Sequence, residues 1–162
     1  MKKVFLLITC LVLIFNFTAC FGVRLFSKDY LGFYKEDFSI IDESDSHGGP
    51  LGDGSYRLIL DCSRNKEKAM ENIKGWARLP LSENLNLIMY GGEKDGVSYG
   101  FDLAEDAKMP QISNGFYRFY DRHSKSTDSS DDSELFNRYS FNFSLAVYDT
   151  DTDILYYFEF DT

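Results

Sequence analysis

The sequence predicts an α+β fold in which a single, mostly antiparallel sheet of about six or seven strands carries one helix on one face. Three observations lead to this class. Aromatic residues make up 17% of the chain, with 15 Phe and 11 Tyr against 1 Trp, and aromatic side chains favour half-buried strands. Several runs alternate between apolar and polar residues, which is typical of strands. Only one run has clear helical spacing.

The clearest alternation lies near the carboxyl end of the chain, in residues 139–160. Two patterned runs there flank an acidic turn at residues 149–153 and predict a β-hairpin. Burying each of its large side chains contributes about 1.5–3 kcal/mol, so we expect this hairpin at the centre of the sheet. The other predicted strands are residues 38–41, 56–62, 85–90, 97–103 and 115–121.

The predicted helix covers about residues 65–77. Its apolar residues recur every three or four positions, and lysines and glutamates occupy the opposite side. Pro80 follows, and a proline disfavours helical backbone in the residue before it. We expect the apolar stripe to pack on one face of the sheet as part of the core. The stripe consists of Ala69, Met70, Ile73 and Trp76.

The first 19 residues are organised like an export signal. Lys2 and Lys3 precede an apolar run at residues 4–15. This run is too short to span a membrane, which needs about 20 residues, but it has the length of a signal-peptide core. We therefore predict a signal peptide at residues 1–19.

The signal ends in the sequence Phe17-Thr18-Ala19-Cys20, which resembles a bacterial lipobox. Small residues before the cysteine admit the peptidase, and the thiol accepts diacylglycerol. Phe17 departs from the pattern, because an aliphatic residue is usual there. The motif predicts a lipidated Cys20 at the head of a short tether, residues 20–29, and a single domain at residues 30–162.

Cysteine usage agrees with this organisation. Cys10 lies in the predicted signal and Cys20 takes the lipid, so Cys62 is left alone in the exported domain. No intramolecular disulfide can then form. Cys62 falls on the predicted inward face of its strand, where we expect it to behave as a small apolar residue.

The charge of the chain restricts the class of partner. The formal net charge is -9, and removing the two lysines of the predicted signal from that total leaves -11. Nucleic-acid binding requires clustered lysine and arginine, so we predict no nucleic-acid partner. A cationic protein, peptide or metal is the better match, although acidity also serves solubility alone.

His47 is the sharpest candidate for chemistry. It lies in the glycine-rich, acidic stretch at residues 45–54, together with Asp45 and Asp53. A histidine beside carboxylates is typical of a general base or a metal ligand. A metal site usually needs three or four protein ligands, however, and a structural loop accounts for the same residues. We therefore predict no catalytic set, metal or cofactor, and keep an enzyme or metal-dependent module centred on His47 as an alternative.

Three further stretches are weaker candidates. The glycines at residues 48–54 precede a strand instead of a helix and lack the Gly-Lys-Ser/Thr ending of a phosphate loop. The acidic turn at residues 149–153 begins like a calcium loop, but Ile154 replaces the required glycine, which excludes an EF-hand. A looser calcium site or a solvated turn remains. The serine- and aspartate-rich residues 123–134 predict a mobile loop.

Four stretches together resemble a group of small, functionally uncharacterised lipoproteins of Gram-positive bacteria. They are the lipobox-like start, residues 45–54, residues 76–81 and residues 148–162. The resemblance implies a lipid-anchored protein on the extracytoplasmic face of the cell membrane, and it transfers no catalytic residues. We predict a non-catalytic binding or accessory protein of the cell envelope. The alternatives are the module on His47, Asp45 and Asp53, or an immunity-like protein that binds a basic toxin.

Overall fold

The structure is a computed structural model that describes residues 28–48, 52–123, 128 and 130–162. The predicted signal peptide, Cys20 and most of the predicted tether lie outside these residues. Within the described part of the chain, no helix is long and apolar enough to cross a membrane.

The fold is a mostly antiparallel β-structure with a few short helices, in agreement with the predicted class. Six strands form the main sheet in the order β1-β2-β8-β7-β6-β3, and β4 pairs with β5 in a separate two-stranded sheet. The strands are β1 (Ser39–Asp45), β2 (Gly54–Asp61), β3 (Ala77–Arg78), β4 (Gly92–Lys94), β5 (Val97–Tyr99), β6 (Gly115–Asp121), β7 (Asn142–Asp149) and β8 (Ile154–Asp161).

The hairpin of β7 and β8 occupies the centre of the main sheet, which confirms its predicted position. Its two strands pair from Asn142 opposite Asp161 to Asp149 opposite Ile154. Seven of the eight residues of β7 are buried, so the strand is covered on both faces. The sheet is therefore a middle layer and not the floor of a one-sided core.

The prediction of a single helix over residues 65–77 is wrong in length and in number. The first helix ends at Asn72 because the chain turns away at Ile73, and Gly75 adopts the left-handed φ of 81°. Two further helices follow it. Within the described part of the chain, the α-helices are α1 (Lys66–Asn72), α2 (Glu83–Tyr90) and α3 (Leu103–Asp106).

The predicted strand at residues 85–90 is also wrong, since these residues belong to α2. Ser82 begins the helix, because its hydroxyl accepts a hydrogen bond from the Leu85 N–H at 3.1 Å. Gly91 ends it with a φ of 66°. The next predicted strand, residues 97–103, is shorter than expected, because β5 stops at Tyr99 and Leu103 begins α3.

Helices cover both faces of the sheet, which corrects the prediction of a helix on one face. On the first face, α1, Trp76 and the segment at residues 30–38 pack over Leu58 and Tyr148. On the second face, α2 and α3 pack over Phe143 and Phe158. Ala69, Ile73 and Trp76 of the predicted stripe are buried, as expected, while Met70 is exposed.

The polar residues 123–134 are described only in part, and the described end of this stretch is packed. Asp132 accepts hydrogen bonds from the Ser82 hydroxyl and, through its carbonyl, from the Asn84 amide at 2.8 Å. Leu135, which follows, is fully buried in the second face of the core. The expectation of an unpacked loop is therefore wrong for this end, where hydrogen bonds to α2 compensate for low hydrophobicity.

Candidate functional site

His47 lies just beyond β1, against the first residue of β2. A Cβ atom added at Gly54 would lie 2.8 Å from the backbone nitrogen of His47 and 2.9 Å from its ring carbon Cδ2. These distances are shorter than real Cβ contacts, so only glycine admits this approach. One glycine of the predicted loop thus has a specific role, which is to seat the histidine against the sheet.

Two carboxylates flank the ring of His47. Its Nδ1 lies 2.7 Å from Asp45 Oδ1, and its Nε2 lies 3.2 Å from Asp161 Oδ2. The backbone N–H of His47 also donates to Asp45 Oδ1 at 2.9 Å. These two bonds from His47 hold the pKa of Asp45 below its ordinary value. The histidine therefore connects the end of β1 to the end of β8.

Of the two aspartates predicted beside His47, one contacts it and the other does not. Asp45 is a direct partner. Asp53 is exposed, and among the described residues it forms no hydrogen bond or ion pair with His47. Asp161 takes the place that the sequence assigned to Asp53. It reaches His47 because Gly54 pairs with Asp161 across β2 and β8.

The contacts of Asp161 continue into a polar network along this end of the sheet. Arg122 donates to Asp161 Oδ1 at 2.5 Å and to the side chains of Asn142 and Ser144. The Tyr157 hydroxyl lies 3.2 Å from the Ser144 hydroxyl. Sequence reasoning missed these residues, since strand pairing alone brings them together.

The network ends at Glu159. The Tyr157 hydroxyl and the Lys28 ammonium both lie 2.6 Å from its carboxylate. Burial alone would raise the pKa of Glu159, but these two donors outweigh it and hold the pKa below its ordinary value. Lys28, which the sequence placed in the tether, is thus bonded to the central strand β8.

The geometry around His47 is that of a structural connection. A general base must have a ring nitrogen that can reach the proton of a substrate. Both nitrogens of His47 face carboxylate oxygens of the protein itself. Among the described residues, no three His, Cys, Asp or Glu side chains are grouped so that they could hold a metal ion.

The acidic turn between β7 and β8 directs its carboxylates to donors of the protein. Asp149 accepts bonds from the Asp151 N–H at 2.9 Å and from the Thr152 hydroxyl at 2.7 Å. Asp153 accepts from the Tyr148 hydroxyl at 3.0 Å, and Lys66 lies 2.8 Å from it. The aspartates of this turn therefore bond to backbone and side-chain donors of the protein, as is typical of a structural turn.

An open groove of about 370 Å³ lies on the second face of the sheet, between β1 and the end of α3. Its apolar lining includes buried Ile59 and Tyr156 and exposed Ile41. Arg57 spans the groove, since it pairs with Asp42 at 2.8 Å and donates to the Asp106 carbonyl at 2.8 Å. The volume of the groove falls within the range of ligand-binding clefts, about 300–1,000 Å³.

Comparisons of the chain with protein-family models, with curated proteins and with solved structures found no match. The observations that bear on function are therefore those of the chain itself. They are the lipobox-like motif, the hydrogen bonds of His47 to two carboxylates, the net negative charge and the groove beside β1.

Cys62 provides a direct test of the described core. It is fully buried against the first face of the sheet, and burial raises the pKa of its thiol to about 12. Almost no thiolate is therefore present at pH 8, and the thiolate is the reactive form. We expect 5,5′-dithiobis(2-nitrobenzoate) to label Cys62 only after unfolding in urea. Rapid labelling of the native protein would contradict the buried position.

Proposed function

We propose that this protein is exported, lipidated on Cys20 and held at the extracytoplasmic face of the cell membrane, where it binds a partner. The observation that carries the proposal is the Phe17-Thr18-Ala19-Cys20 motif directly after a basic start and a short apolar run. The resemblance to small lipoproteins of Gram-positive bacteria supports the same location.

The contacts of His47 and the burial of Cys62 favour binding over catalysis. Both ring nitrogens of His47 are occupied by Asp45 and Asp161. Cys62 is buried, and its raised pKa keeps it in the thiol form. These residues stabilise the fold in the arrangement described, which leaves the surface of the domain as the functional element.

The charge of the chain favours a cationic protein or peptide as the partner. Without the two lysines of the signal, the formal charge is -11, and complementary charge speeds encounter with a basic molecule. An immunity-like role, in which the partner is a basic toxin, is one form of this proposal. Phosphate-rich partners such as nucleic acids would be repelled.

Cys20→Ser tests the lipid anchor. Cells that express each variant are fed an alkyne-tagged fatty acid, and the purified protein is examined for the tag. We expect the tag on the wild-type protein and none on Cys20→Ser, because the hydroxyl does not accept the diacylglycerol. Cys10→Ala is the matched control, because it removes the other signal-region cysteine and keeps the apolar run. A tag on Cys20→Ser, or its loss from Cys10→Ala, would contradict the proposal.

A further inference from the structure

We propose that the outer edge of β1 is the docking site for the partner, which adds an extended segment to the sheet as one more strand. In that segment, apolar and basic side chains alternate. The inference rests on the proposed binding function and identifies the surface and the chemistry of its partner. Strand addition of this kind uses backbone hydrogen bonds for affinity and side-chain sites for specificity.

The edge of β1 is open within the described sheet, where β1 pairs with β2 alone. The N–H of Ser46 donates to the Ser55 carbonyl at 2.9 Å. Backbone N–H groups along a strand alternate in direction, so those of Asp42 and Ser44 also point towards β2. The N–H groups of Glu43 and Asp45 point away from it. Six of the seven residues of β1 are exposed.

One face of this edge offers an apolar site. Ile41 lies at an irregularity in the pairing of β1 with β2, and it is 54% exposed at the mouth of the groove. Ile59 and Tyr156 continue the apolar surface inward. Alternate side chains of an added strand point to the same face, so those on this face would lie over the groove. The site therefore favours an aliphatic side chain where the added strand passes Ile41.

The other face of the edge presents carboxylates. The Glu43 side chain is 36% exposed, whereas its partner Lys35 is 26% exposed. The Asp45 side chain is 57% exposed, whereas its partner His47 is 21% exposed. In both pairs the acid is the more exposed partner, so an incoming strand would contact a carboxylate on this face. Opposite charges directly across two strands are stabilising, which favours lysine or arginine on this face of the partner.

A second copy of the chain fits this edge poorly. Two β1 strands paired about Glu43 would place carboxylates opposite carboxylates, and like charges across strands are destabilising. Each copy also carries the same acidic excess, which opposes self-association. The same charges attract a basic strand, so the edge selects a partner of opposite charge.

Three capped peptides, slightly longer than β1, test the proposal on the full-length protein in non-ionic detergent. The first alternates lysine and isoleucine, the second has the same composition in two blocks, and the third alternates glutamate and isoleucine. We expect the first peptide alone to bind and to slow amide hydrogen exchange at Glu43 and Asp45, measured by NMR. Equal binding of the two lysine peptides, or binding without slower exchange at these amides, would overturn the proposal.

A pair of variants separates strand addition from simple charge attraction. Ile41→Asp removes the apolar lip of the groove yet adds a negative charge, and we expect it to weaken binding of the first peptide by about tenfold or more. Val97→Asp makes the same charge change at a residue of similar exposure on β5, and we expect no loss of binding. Stronger binding to Ile41→Asp would overturn the proposal. So would a homodimer that Ile41→Asp dissolves, because a second copy would then occupy the edge.

Discussion

Replacing Trp76 by alanine is expected to lower the free energy of unfolding by about 3–5 kcal/mol. Trp76 is only 7% exposed, and it lies between α1 and the segment that covers the first face of the sheet. Its ring contacts that of Phe33 with centroids 5.7 Å apart. Removing it leaves a cavity that these rigid neighbours cannot fill, and urea denaturation measures the loss.

Trp76→Phe is the matched control for this prediction. The Nε1 atom of Trp76 is buried and has no hydrogen-bond partner among the described residues. Phenylalanine keeps much of the apolar contact and removes the unpaired donor, so we expect it to cost about 1 kcal/mol. An equal loss in the two variants would contradict the docking described for Trp76. So would no loss with alanine.

The second large effect is expected at the ion pair between Asp121 and Arg138. Their side chains are 3% and 15% exposed, and Arg138 Nη1 donates to Asp121 Oδ2 at 2.6 Å. Asp121→Asn removes the counter-charge and leaves a largely buried guanidinium. Breaking a buried pair in this way costs about 3–5 kcal/mol, which chemical denaturation at pH 7 measures.

Two comparisons make the Asp121 prediction specific. Lys74→Ala breaks the exposed pair with Glu71, whose side chains are 70% and 67% exposed, and we expect it to cost less than about 1 kcal/mol. Asp121→Asn combined with Arg138→Met removes both charges, and it is expected to recover most of the lost stability. A double variant as unstable as Asp121→Asn alone would show that the cost does not come from an unpaired charge.

The central hairpin was predictable because its period-two pattern is long and its side chains are large. The burial of the hairpin's first face, on which α1 and Trp76 pack, was not. Tyr148 and Tyr157 resemble surface residues in a pattern of this kind, yet both are buried. Their hydroxyls bond to Asp153 at 3.0 Å and to Glu159 at 2.6 Å. A tyrosine can enter a core when its hydroxyl has such a partner, and the pattern does not reveal the partner.

The error at residues 85–90 has a different cause. A short apolar run fits a buried strand or a helix equally well, and its flanking residues decide between them. Ser82 caps the helix and Gly91 ends it, so the two boundary signals were present in the sequence. They identify a helix when read together with the run that they enclose.

Of the two carboxylate partners of His47, only the one that is close to it in the sequence could be predicted. Asp45 lies two residues from His47, and an aspartate commonly bonds to the backbone two residues ahead. Asp161 lies at the other end of the chain and meets His47 through the register of β2 with β8. Arg122 joins them from the end of β6. Such contacts depend on tertiary pairing, which local patterns do not encode.

The most direct test of the account is the mass of the amino-terminal peptide of the protein recovered from cell membranes. We expect a peptide that begins at Cys20 and carries a diacylglyceryl group on the thiol, because the proposed signal peptide ends directly before that residue. A peptide that begins at Met1, or at Cys20 with a free thiol, would contradict the lipid anchor and the location proposed for this protein.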